Sequence, residues 1–316
     1  MPPLYLIDAS IYIFQAHFSP HTQVWSRRAE DRSAFVGFLR FLIRFLQSTQ
    51  VRESAPVAVA FDESLQSGFR HRLYPAYKSN RVLPDENLAR QLKACADVCE
   101  LLGVRGFGSQ EYEADDIIGT ISHTCRQSAV TRPIVIVSRD KDLSQLLMND
   151  HDELWDFYAA SRRNRDSIKQ VLGIWPEQFP CYLGLTGDAI DCIPGIPGIG
   201  PVAARQLLSH FGNLESVFEQ VDQVHGLKMR GAKRCAQLLA EHQVMAMLSR
   251  QLATIARQAP ATEAFAVVSE NELELTAIDA PALLALLREM DLSEDDVQRF
   301  VFQLETLDRL LKKKHS

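Results

Sequence analysis

Apolar residues in the first half of the chain fall into two patterns. Short uninterrupted runs rich in β-branched side chains, LYLID (4–8), VAVAFD (57–62) and IVIVSRD (134–140), alternate with long segments whose apolar positions recur at helical spacing. Uninterrupted runs predict strands buried on both faces, and the helix-length segments between them supply the crossovers of a parallel α/β sheet. VRGF (104–107) reads as a further strand, followed by a helix that begins near Asp115. The most apolar helical segment, FVGFLRFLIRFLQST (35–49), carries Arg40 and Arg44. It is too short to cross a bilayer and reads as an amphipathic helix facing the core.

Each of the three runs ends in an aspartate: Asp8, Asp62 and Asp140. In open α/β sheets a ligand site lies outside the carboxyl ends of the strands, so these acids are expected to converge on one edge. EYEADD (111–116) brings Glu113, Asp115 and Asp116 to the same edge, SRDKDL adds Asp142, and GDAID adds Asp188 and Asp191. The i, i+3 spacing of the last pair predicts both carboxylates on one helical face. Like charges this close repel, and a helix N-terminus offsets only part of the cost. Nine acids without histidine or cysteine partners specify a hard, oxygen-preferring divalent cation, magnesium or manganese. Two such ions about 3.5–4 Å apart would clamp a phosphodiester during in-line displacement.

Composition bounds this picture without changing it. With 316 residues, 46% apolar and 23% charged, the chain buries one large or two modest cores. The N-terminal MPPLYLIDASIYIF has no basic region and no small-residue cleavage site, and the six cysteines form no CxxC pair. A cytoplasmic protein with reduced thiols, no membrane partner and a monomeric state is the expectation. Net charge is −6, yet basic residues gather in FRHRLYPAYKSNR (69–81), SRRNR (161–165), KMRGAKR (228–234) and RLLKKKH (309–315). Basic runs beside concentrated acids predict a phosphate-binding surface around a metal pocket, with Arg70 and Arg72 as candidate DNA contacts.

Directly after GDAID comes CIPGIPGIGPVAARQLLSHFG (192–212), in which Gly195, Gly198 and Gly200 interleave with prolines ahead of a helix. Glycines there let backbone amides approach a phosphate at a helix N-terminus.

At this point the chain resembles the bacterial 5′ nuclease family, which includes the 5′–3′ exonuclease domain of DNA polymerase I and the flap endonucleases. LIDAS, FRHRLYPAYKSNR, EADDIIGT, SRDKDLSQLL, GLTGDAIDCIPGIPGIG and LATI (252–255) carry the resemblance in order and spacing. It implies a PIN-like (resolvase-like) parallel-sheet domain over 1–178 with a helical arch near 63–92, and a helical domain over 179–316. The second domain would hold a helix-three-turn-helix element at about 184–212 that grips duplex DNA and holds potassium. It further implies one metal served by Asp8, Asp62, Glu113, Asp115 and Asp116 and a second by Asp140, Asp142, Asp188 and Asp191. Lys78 and Arg81 would act near the scissile phosphate, and Tyr77 would stack on an unpaired base. Gln15, Arg139, Cys192 and Val202 depart from the family pattern. The chain after about residue 260 is expected to pack behind the DNA-binding element, and the whole to act as a free-standing nuclease on DNA with 5′ ends, flaps or branched junctions.

Two other readings share parts of this pattern: a DNA-structure binder with little catalysis, and a PIN-like ribonuclease. Intact acids oppose the first, and the glycine-rich element opposes the second.

Overall fold

The computed structural model describes residues 1–21, 23–48, 55–128 and 132–312. Strands β1 (Leu4–Asp8), β2 (Val57–Asp62), β3 (Arg105–Ser109), β4 (Ile134–Val137), β5 (Glu153–Asp156) and β6 (Ser161–Arg163) form one sheet in the order β3-β2-β1-β4-β5-β6. The first five run parallel and β6 closes the edge antiparallel to β5. β1, β4 and all but the last residue of β2 are buried throughout, as their uninterrupted apolar sequences require. β1 pairs with β2 on one side and β4 on the other, so the strand order reverses between β1 and β4. That reversal opens the crevice in which open α/β sheets bind ligands.

The helices follow in chain order: α1 (Ala9–His17), α2 (Ser33–Gln47), α3 (Phe69–Leu73), α4 (Glu86–Leu101), α5 (Ala114–Arg126), α6 (Arg165–Leu172), α7 (Phe179–Thr186), α8 (Pro201–Phe211), α9 (Leu214–Glu219), α10 (Val221–Val224), α11 (Ala232–Ala253), α12 (Ala280–Glu289) and α13 (Glu294–Lys312). On one face of the sheet α2 buries Phe35, Phe38, Phe41 and Phe45, with Phe41 stacked on Tyr12 of α1. On the other face α5 buries Ile117, Ile118 and Ile121. A third core joins α7, α8, α9, α10 and α11.

Several boundaries differ from those read in the sequence. β4 ends at Val137, so Asp140 stands beyond it on the following loop. GDAID is a tight turn rather than helix, closed by paired hydrogen bonds between Asp188 and Ile193. Gly187 at φ 69° ends α7, and Cys192 at φ 55° makes the return; neither angle extends a helix. β5 and β6 were hidden by their shortness and charge, since Arg162 lies over Trp155 instead of in solvent.

The end of the chain also packs elsewhere than expected. Leu283, Leu287, Phe300 and Leu307 join the core of α2 and α4 on the sheet, not the third helical core. The amphipathic face of α12 packs on α4 and that of α13 on α2, and sequence periodicity does not name the partner of such a face. The terminal residues 313–316, including most of the KKKH run, lie outside the described residues.

Leu287 is fully buried. Leu287→Ala is expected to lower unfolding free energy by about 2–5 kcal/mol. Urea denaturation followed by tryptophan fluorescence measures it; an unchanged midpoint contradicts this packing.

Candidate active site

The site is built where β1 and β4 separate. Asp8 ends β1 and caps α1, its Oδ1 accepting from the Ser10 amide at 3.1 Å and its Oδ2 from the Ser138 hydroxyl at 2.9 Å. The same Ser138 oxygen accepts from the Asp140 amide at 3.0 Å, and Asp140 Oδ1 accepts from the Asp142 amide at 2.9 Å. Asp142 opens a 3-10 turn, Asp142–Leu146. Asp62 ends β2 and accepts from Ser64 Oγ at 3.1 Å. Asp115 lies in the first turn of α5, whose N-cap is Glu113.

Electrostatics shows that these groups share one space. Burial and then Asp140 push Asp8 up to about 7, with Asp62 adding to the rise. Burial and then Asp140 push Asp142 up to about 8, with Asp191 and Asp188 contributing. Asp115 is raised by burial, Asp140 and Asp8, and Asp62 by burial and Glu113. The sheet edge thus brings together Asp8, Asp62, Asp115, Asp140 and Asp142, with the turn of Asp188 and Asp191 facing Asp142.

Two of the nine acids are engaged differently. Glu113 faces Lys78, whose Nζ donates to both carboxylate oxygens at 2.9 Å, and Tyr77 donates its hydroxyl at 3.0 Å. Burial alone would raise Glu113, but Lys78 and then Arg70 overcome it and hold the carboxyl down at about 2. Asp116 is fully buried with both oxygens saturated. Oδ1 accepts from Arg70 at 2.7 Å and the Ala256 amide at 2.8 Å; Oδ2 accepts from Arg70 at 2.6 Å and the Glu113 amide at 3.1 Å. Asp116 therefore has no lone pair turned to the crevice. Spacing alone could not separate it from Asp115, since adjacent positions on a helix point about 100° apart.

The expected basic and aromatic groups sort in the same way. Arg70 is buried, its guanidinium spent on Asp116 and on the Leu252 and Thr254 carbonyls, so it does not meet DNA. Tyr77 is buried beside His71 with its hydroxyl on Glu113, so it does not stack on a base in this arrangement. Arg72 is exposed and pairs with Glu111. Arg81 is half exposed and bonds Asp191 at 2.8 Å. Lys78 holds φ at 50°, a left-handed geometry costly for a side-chain-bearing residue, with its amide on the Asp191 carbonyl at 3.1 Å. Arg139 pairs with Asp156 at 3.3 Å rather than with any of the nine acids.

In the glycine-rich segment Ile193, Ile196 and Ile199 are buried at every third position, which turns Pro197, Gly198 and Gly200 outward ahead of α8. Gly195 serves the fold instead. Its φ is 63°, a Cβ there would fall 2.2 Å from the Gly187 nitrogen, and its amide donates to Ser249 Oγ at 2.9 Å. Val202 is exposed at the start of α8.

Among the described residues no three acidic, histidine or cysteine side chains close into a ready coordination shell. The donor set nonetheless fits a divalent ion: it is all oxygen, it repels itself, and Asp142 Oδ1 is buried without a hydrogen-bond partner. Sequence reading missed Ser138, which orients two of the acids, and Lys141, whose Nζ lies 3.8 Å from Asp188. A serine immediately after a buried strand and two positions before an aspartate was the available signal.

Asp8 and Asp142 keep their protons in the folded chain at pH values where an unfolded chain, with aspartates near about 3.9, has released them. Between about pH 4 and 8 the folded state binds more protons, so stability of the metal-free protein falls as pH rises. Glu113, depressed to about 2, contributes stability that is lost only below this window. Cations compete with those protons, so divalent metal should raise Tm more at about pH 8 than at about pH 6. Melts in chelator and in manganese at both values check the signs; a metal-free Tm that climbs with pH contradicts them.

Two family models divide the chain: the 5′–3′ exonuclease N-terminal resolvase-like domain matches residues 3–173, and the 5′–3′ exonuclease C-terminal SAM fold matches 174–278. The 5′–3′ exonuclease of Buchnera aphidicola subsp. Schizaphis graminum is 31% identical over 259 residues, covering 82% of this chain and 88% of its own. DNA polymerase I of Pseudomonas aeruginosa is 33% identical over 300 residues, 94% of this chain. The match spans only 31% of that polymerase's length. Among solved structures, the T5 D15 protein co-crystallised with metal ions aligns at TM-score 0.60 and 17% identity, covering 97% of this chain and 99% of its own. The catalytic core of Rad2 in complex with DNA substrate aligns at 0.60 and 15%, covering 98% and 92%. At such identities the two structures speak for the fold, which is the resolvase-like sheet with a helical second region expected from the sequence. The sequence matches go further: this chain belongs to the 5′–3′ exonuclease family.

Proposed function

We propose that the protein is a magnesium-dependent, structure-specific 5′ nuclease that hydrolyses DNA phosphodiesters near 5′ ends and flap junctions. One observation carries the reading. Five carboxylates meet where β1 and β4 diverge, two of them raised to about 7 and 8, with Lys78 and Arg81 beside them on Glu113 and Asp191.

In this reading Asp8, Asp62, Asp115, Asp140, Asp142, Asp188 and Asp191 hold the divalent ions. Bound magnesium, or manganese in its place, supplies charge neutralisation and a lowered pKa for the attacking water. The chain's own residues do the rest. Ser138 fixes the directions of Asp8 and Asp140. Glu113 keeps Lys78 protonated and aimed at the crevice; burial alone would lower the lysine, and Glu113 overcomes it. Lys78 and Arg81 then place positive charge where the phosphate gains negative charge as the water oxygen bonds to phosphorus and a sugar oxygen departs.

The exposed Gly198 and Gly200 at the start of α8 offer backbone to a duplex phosphate. Lys228, Arg230, Lys233 and Arg234 are exposed on the same helical region and extend that grip. The T5 D15 protein was co-crystallised with metal ions and the Rad2 catalytic core with DNA substrate, which accords with both assignments.

Cleavage of a labelled 5′-flap duplex in magnesium and in chelator tests this. Asp8→Asn should lower the rate by at least about a hundredfold, and Lys78→Ala by about a hundredfold to a thousandfold with DNA affinity largely kept. Tight binding without cutting in either metal would replace the nuclease reading with a DNA-structure binder. RNA cut in preference to DNA would replace it with a ribonuclease.

A further inference from the structure

α11 ends at Ala253, and the chain then crosses the sheet domain without regular structure. Backbone groups at such an end have no partner unless side chains supply one. Here five consecutive residues are each held. The Leu252 carbonyl accepts from Arg70 Nε at 2.8 Å and the Thr254 carbonyl from Arg70 Nη2 at 2.8 Å. The Ala253 carbonyl accepts from Gln145 Nε2 at 3.1 Å, and the Ile255 amide donates to Gln145 Oε1 at 3.0 Å. The Ala256 amide donates to Asp116 Oδ1 at 2.8 Å. Arg70, Asp116 and Gln145 are 3%, 0% and 1% exposed.

Two of the gripping side chains share an element with a site acid, and the third, Arg70, lies 3.5 Å from Glu113. Asp116 follows Asp115 on α5; Gln145 lies in the 3-10 turn that Asp142 begins; Arg70 lies on α3, ahead of Lys78. α5 presses on the same segment, since a Cβ on Gly119 would fall 2.5 Å from the Ala256 carbonyl oxygen. One turn before this end α11 holds the glycine-rich loop through Ser249, whose hydroxyl accepts from the Gly195 amide. It also lies against α7, where a Cβ on Gly184 would come 3.0 Å from the Ala246 carbonyl oxygen.

We propose that residues 252–256 form a strap that transmits duplex engagement at the glycine-rich loop to the acid edge, and that Arg70, Asp116 and Gln145 are its positioning residues. This rests on the nuclease reading above. A single hydrogen-bonded segment touches three of the elements that set the site, so a shift of α11 moves α3, α5 and the 3-10 turn together. Asp116, one of the expected metal ligands, acts through Arg70 and the strap rather than on a cation.

The test uses the full chain carrying Gln145→Met or Asp116→Asn, each first shown to melt cooperatively. Flap-DNA affinity in chelator should stay within about threefold and calorimetric manganese binding should be unchanged, while the single-turnover rate at saturating DNA falls about tenfold to a hundredfold. A rate equal to wild type in both folded variants overturns the proposal, as does affinity falling in step with rate. Loss of manganese binding in Asp116→Asn makes Asp116 a ligand and also overturns it. If Asp116→Asn does not fold, Gln145→Met decides. If wild type binds DNA without cutting, the nuclease reading fails, and amide exchange judges the strap alone. Added DNA must slow exchange at Ile255 and Ala256 in wild type but not in Gln145→Met, and the same exchange with and without DNA in wild type overturns it.

Discussion

Mutual repulsion among carboxylates at the mouth between β1 and β4 is the constraint around which this chain is arranged. A parallel sheet leaves its strand ends at one edge, and the reversal of strand order opens that edge into a crevice. Asp8, Asp62, Asp140 and Asp142 occupy it from strand ends and the loop beyond, and Asp115 overhangs it from a helix start. Burial disfavours their charged forms and neighbouring carboxylates add to the cost, which is why Asp8 and Asp142 rise to about 7 and 8. The fold tolerates this because the strands beneath are buried on both faces and braced by α2, α5 and the last two helices.

Compensation comes from two sides. Lys78, Arg81 and Lys141 approach Glu113, Asp191 and Asp188 from segments outside the sheet. Lys78 does so from a left-handed backbone position, anchored through its amide to the Asp191 carbonyl, which ties the loop after α3 to the turn after α7. The cations are therefore held by acids of the site, and in the proposed reaction Lys78 and Arg81 would face the phosphate from these positions.

Much of this was legible in the sequence, and the rest was not for definable reasons. Uninterrupted apolar runs located β1, β2 and β4, since two-sided burial leaves no polar alternation. Strand-final aspartates located the edge. What failed were inferences about direction. Asp115 and Asp116 are neighbours in sequence, yet one faces the crevice and the other faces Arg70. Arg70 and Tyr77 looked available because basic and aromatic residues in a loop usually are, but a buried carboxylate claimed each. Asp188 and Asp191 matched helical spacing, and the positive φ of Gly187 and Cys192 made a turn instead. The partners of α12 and α13 depended on tertiary fit that periodicity does not encode.

Proton release on cation binding reaches the central claim most directly. If the crowded acids are a divalent-metal site, manganese must displace the protons that repulsion and burial retain on Asp8 and Asp142. Calorimetric titration of the metal-free chain at about pH 6.5, repeated in buffers of different ionisation enthalpy, counts those protons. The account predicts release of about one or more protons per chain as the site fills, diminishing in Asp8→Asn. Saturable binding with no proton release, or no binding at millimolar manganese, would contradict it.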